Sequence, residues 1–151
     1  MSACTFIASD IPLPTWAPPK DRPLDINIDT GAIYDGDADD NFFLHAFEDV
    51  QSYSSKKYGV WPEWRYTHGR GKQIVKYIGD ALRHTDSIEL WHVWLTAYCE
   101  YEDSPVVHSR TIPVNELTEN HIMELDSAVI WNNPDKMYPN RPSFYRLTIK
   151  A

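Results

Sequence analysis

The chain has no basic residue between Arg22 and Lys56, only two cysteines, only six glycines, and no apolar stretch long enough to span a membrane. Each shortage excludes something. A bilayer-crossing helix needs about 18 or more consecutive apolar residues, so no membrane association is expected. Cys4 and Cys99 cannot build a disulfide framework and fit a reducing compartment. The start Met1-Ser2-Ala3-Cys4-Thr5 carries neither a basic segment nor a long apolar one, and a cytoplasmic location is the expectation. The missing bases say most about partners. Residues 1–50 hold ten acids and two bases, whereas residues 51–151 hold twelve of each. The net charge of −8 is therefore concentrated in the first third.

Inside the base-free window lie Asp25, Asp29, Asp35, Asp37, Asp39, Asp40, Glu48 and Asp49. A field of one sign repels DNA and RNA, whose phosphates need Lys and Arg, and it attracts a basic surface. Direct nucleic-acid binding is not expected. A protein partner with a basic surface is, with Asp35, Asp37, Asp39 and Asp40 as the contact residues. A solvated acidic face that only keeps the chain soluble is the plain alternative.

What the chain does have is core material. It is 42% hydrophobic and 13% aromatic over 151 residues, with six tryptophans. That composition fits one folded domain over residues 1–151. Trp16 and Trp61 stand in proline-rich surroundings with little core of their own, which makes them candidate partner anchors.

Thr5-Phe6-Ile7-Ala8 suits a buried strand, and Pro12, Pro14, Pro18, Pro19 and Pro23 then make residues 9–23 an extended connector. Leu24, Ile26 and Ile28 alternate with Asp25, Asn27 and Asp29, a strand with one wet face, and Thr30-Gly31 turns the chain toward Ala32-Ile33-Tyr34. The spacing of Phe42, Phe43, Ala46, Phe47 and Val50 favours a helix over 42–50. From Arg70 to Arg83, Ile74, Val75, Ile78, Ala81 and Leu82 draw a helical stripe. Ile88 to Leu95 reads as a central strand, Val106 to Val114 as its antiparallel neighbour, residues 119–126 as a short helix, and Tyr145, Leu147 and Ile149 as a terminal strand. The expected fold is α+β: a single domain with a mainly antiparallel sheet and two or three helices packed on it.

Thr5-Phe6-Ile7-Ala8-Ser9-Asp10, Glu63-Trp64-Arg65-Tyr66-Thr67, Ile88-Glu89-Leu90-Trp91-His92-Val93-Trp94-Leu95 and Arg110-Thr111-Ile112-Pro113-Val114-Asn115-Glu116-Leu117-Thr118 together resemble a group of small proteins of gut-dwelling bacteria. That group has no established activity, so the resemblance implies no site. In size and acidity alone the chain is similar to bacterial immunity proteins, which neutralise a toxin domain by binding it.

Four motifs bear on chemistry. Asp35, Asp37 and Asp39 have the spacing that opens a calcium loop, but Asp40 replaces the glycine at the sixth position and Ala46 the glutamate at the twelfth, so an acidic loop is preferred. Asp29-Thr30-Gly31-Ala32 is similar to the catalytic turn of retroviral-type aspartic proteases, yet Asn27 stands where an apolar residue belongs, and an ordinary turn is preferred. His68-Gly69-Arg70-Gly71-Lys72 precedes a helix and has the amides and cations to hold a phosphate; it lacks the rest of a phosphate-binding loop and reads as a flexible lead-in. Finally, a hairpin of the two central strands would set His92 opposite His108, a pair able to bind a metal or act as acid and base. Histidines with ordinary hydrogen bonds are the preferred reading there.

The leading expectation is thus a non-enzymatic binding protein that meets a basic partner, without a cofactor. Its rival is a small hydrolase using the aspartates of residues 29–40, Asp29 among them, or the pair His92 and His108.

Overall fold

The computed structural model describes residues 3–18, 25–34, 38–94, 105–127 and 143–151. In chain order its elements are β1 (Ala3–Ser9), β2 (Asp25–Asn27), β3 (Ala32–Tyr34), β4 (Phe43–Ala46), β5 (Tyr58–Glu63), α1 (His68–Ala81), β6 (Ser87–Trp94), β7 (Val106–Pro113), α2 (Glu119–Ser127) and β8 (Ser143–Lys150). Among the described residues, six strands form one sheet in the order β4-β5-β1-β6-β8-β7, and β2 and β3 pair only with each other. Every pairing in the large sheet is antiparallel except that of β7 with β8. The α+β class and the mostly antiparallel sheet are as the sequence implies. No helix among the described residues is long and apolar enough to cross a membrane.

β1 and β6 take the middle because both are apolar on both faces. Phe6, Ile7 and Ala8 of β1 and Ile88, Leu90, Trp91 and Val93 of β6 are all buried. One face carries Ile7, Val60, Ile88, Leu90, Tyr145, Leu147 and Ile149 under Ile74 and Ile78 of α1 and Ile122 and Leu125 of α2. The opposite face is aromatic. Phe6, Trp91 and Phe144 meet Phe47, Val50 and Tyr53 from the connection between β4 and β5.

Two expectations are corrected. Residues 42–50 are not helical: Phe43–Ala46 is an edge strand paired with β5, followed by a 3-10 turn at Val50–Ser52. The spacing of its apolar residues fits a helix, but Leu44 is buried while Phe43 is exposed, the alternation of a strand, and the aromatics suit a pleated surface. The second correction concerns β7, which is not the neighbour of β6. β8 lies between them and pairs with β7 in parallel, the chain crossing back through α2. Composition explains the order. β8 buries Phe144, Tyr145, Leu147 and Ile149, whereas β7 exposes Ser109, Arg110 and Thr111, so the more polar strand takes the edge.

Candidate functional site

The exchanged strand order separates the two histidines. His92 on β6 and His108 on β7 both stand in register with Tyr145 of β8, which lies between them. The His92 and Tyr145 ring centroids are 6.3 Å apart, and His108 stacks on Tyr145 at 5.3 Å. The expected facing pair does not form, and a tyrosine replaces it as each histidine's neighbour. Among the described residues, no group of three or more His, Cys, Asp and Glu side chains is arranged to hold a metal.

The acidic residues divide. Asp35 and Asp37 lie outside the described residues. Asp39 lies against the first turn of α1, where a Cβ on Gly69 would come 1.7 Å from its Oδ1. A carboxylate there meets the positive end of the helix, the place where the sequence offered a phosphate site. Arg70 of that same stretch is fully buried and donates to the carbonyls of Ala38 and Arg65, so it holds the fold together. Asp40 is exposed beside Asp39, whereas Glu48 and Asp49 follow the opposite end of β4. Asp10 is engaged by Lys56 at 2.6 Å.

The hairpin of β2 and β3 forms a sheet of its own among the described strands. Asn27 Oδ1 accepts from the amides of Asp29 and Thr30, and Gly31 takes a positive φ of 69°, so Asp29-Thr30-Gly31 is an ordinary tight turn. Among the described residues the wet face expected of this strand is matched by no dry one: Ile26 is 58% exposed and Ile28 90%, and Leu24 lies outside the described residues. Asp29 is exposed beside Ile28.

Of the two candidate tryptophans, Trp16 docks on its own domain. Its Nε1 donates to the Phe42 carbonyl at 2.8 Å, and its ring meets Phe42 and Tyr77 edge-on. Trp61 instead lines a cleft of about 420 Å³ together with Ala3, Cys4, Thr5, Phe47, Pro62, Trp64, His92 and Asp126. The cleft arises from a split in the sheet. β1 pairs with β5 only through Ile7, Ala8 and Ser9, and beyond Val60 strand β5 follows β4 alone. Pro62, with no N–H to offer, stands where Thr5 would need a partner.

Three titratable groups in this cleft are shifted by burial. His92 accepts from or donates to Thr5 Oγ1 through Nδ1 at 3.1 Å, and burial lowers its pKa, so the imidazole is neutral at pH 7. Burial raises the Asp126 carboxyl, partly offset by the hydrogen bond that Trp64 Nε1 donates to Oδ1 at 3.2 Å. The Cys4 thiol is pushed up to about 11, which keeps it protonated and rules out thiolate chemistry near neutrality. Asp126 and Trp64 were not singled out by the sequence. The available signal was a carboxylate four residues after Ile122, on the apolar stripe of a short helix.

The neutral state of His92 gives a pH prediction. Its folded pKa lies below the unfolded value of 6.5, so the unfolded chain binds more protons and stability is lost as pH falls below 6.5. Urea unfolding measured between pH 7.5 and 5 is expected to weaken more steeply for the native chain than for His92→Gln. Equal slopes would mean that His92 charges freely in the folded protein.

No family model matches the chain, and neither does any curated protein or solved structure.

Proposed function

We propose that the protein is a non-enzymatic binding protein of the immunity or inhibitor kind, which engages a basic partner through its acidic first third with the β2–β3 hairpin as the contact element. The observation that carries this reading is the exposure of Ile26 and Ile28 on a hairpin that, among the described residues, pairs with no other strand. An isolated two-stranded hairpin is marginal in water, and strands of three residues with apolar side chains in solvent gain little from their own fold. Docking against a partner supplies the missing burial. Ile28, 90% exposed beside the exposed Asp29, suits an apolar pocket rimmed by Lys or Arg. The surrounding carboxylates speed the encounter, and the isoleucines slow release.

The test compares the native chain with the double variant Ile28→Lys and Asp29→Lys as baits in extract of the native cell, followed by kinetics on the purified partner. A partner held by the native chain and lost by the variant is expected. Its association rate should fall roughly tenfold or more from low to high salt. Equal capture by both baits, or an association rate indifferent to salt, would overturn the reading.

A further inference from the structure

We propose that the cleft between β1 and β5 is a second binding site, independent of the hairpin, which takes a small organic cation: an ammonium or guanidinium group set among Trp61, Trp64 and Phe47 with Asp126 as its counter-charge. Four features converge on this class of ligand. The cleft, about 420 Å³, falls within the roughly 300–1,000 Å³ of small-molecule sites. Three of its lining residues are aromatic, and aromatic faces attract cations most strongly when water is excluded. Asp126 is the one carboxylate among the described lining residues, and no Lys or Arg stands with it. Trp64 Nε1 bonds Oδ1 of Asp126, which fixes the carboxyl and leaves Oδ2 to accept from a ligand.

The remaining polar groups fit the same assignment. His92 is tied to Thr5, and its imidazole adds no positive charge that would repel a cation. Burial raises the pKa of Asp126 by disfavouring its charged form, and a bound ammonium would favour that form again. An anionic ligand finds no charged donor among the described lining residues. A neutral aromatic compound would use the walls but leave the carboxyl unanswered.

Three probes of one shape separate these cases: benzylamine, benzyl alcohol and benzoate, titrated into the full chain while the Trp64 indole N–H and His92 ring signals are followed by NMR. Benzylamine is expected to shift both sets of signals saturably and to bind at least about tenfold more tightly than benzyl alcohol. Asp126→Asn, which keeps an oxygen for the Trp64 bond, should erase that preference, and Trp61→Leu should weaken benzylamine while retaining it. A melting scan of Asp126→Asn at pH 7 is expected to match or exceed the native chain, because a buried charge has been removed. No saturable shift, equal affinity for amine and alcohol, or tighter binding of benzoate would overturn the proposal, and those three outcomes need no variant. None of them bears on the hairpin.

Discussion

Replacing Arg70 by methionine is expected to cost about 3 kcal/mol of stability, although the residue lies on the first turn of a helix among glycines and cations. Its side chain is fully buried, with Nε donating to the Ala38 carbonyl at 3.1 Å and Nη1 to the Arg65 carbonyl at 2.9 Å. Methionine matches the length of the stem but leaves both carbonyls without these donors, each a loss of about 1–3 kcal/mol when buried. Lysine keeps the charge and should recover only part of the loss, because one ammonium lacks the planar fork that reaches two acceptors on different segments. The measurement is a urea midpoint at constant m-value for the native chain, Arg70→Lys and Arg70→Met, in that order of falling stability. A loss below about 0.5 kcal/mol for methionine, the range of ordinary surface substitutions, would mean that Arg70 points to solvent and that its stretch is free to meet an anion after all.

Arg70 also marks how far the sequence could be read. The stripe Ile74, Ile78 and Leu82 announces α1, and the unbroken apolar run of β6 announces a strand covered on both faces, because each signal is contained within its own segment. The place of β8 is not contained in any segment. Short connections argue for pairing β6 with β7, and only the comparison of a buried β8 with a more polar β7 says which belongs at the edge. That one exchange moved His92 and His108 apart. β4 is not legible in the same way, because four residues are too few for period two to outweigh the helical spacing around them. At the site level, the excess of acid in the first third was plain, yet its division between a helix terminus, an ion pair with Lys56 and the surroundings of the hairpin depends on contacts made by distant residues. Asp126 needed both the fold of α2 and the parting of β1 from β5 before it had any neighbours to act with.

A pair of alanine substitutions separates residues that hold the fold from residues that face outward. Phe6→Ala is expected to destabilise by about 3–5 kcal/mol, since the ring is fully buried and leaves a cavity that rigid neighbours cannot fill. Those neighbours are Phe47, stacked at 4.3 Å, Tyr53 at 5.6 Å and Trp91, nearly parallel at 6.0 Å. Phe47 and Tyr53 come from the connection between β4 and β5 and Trp91 from β6, so the loss falls on the aromatic face of the sheet at more than one place. Against a total stability of about 5–15 kcal/mol this is enough to lower the melting temperature by roughly 10 °C. Ile28→Ala removes a side chain of comparable hydrophobicity and is expected to change stability by no more than about 0.5 kcal/mol, because its apolar surface is already in water. The contrast bears directly on the binding role. An exposed isoleucine that contributes nothing to folding leaves its surface free for the proposed partner contact, whereas a loss of core size at Ile28 would show the hairpin packed against its own domain in solution and would remove the apolar contact on which the proposed docking rests.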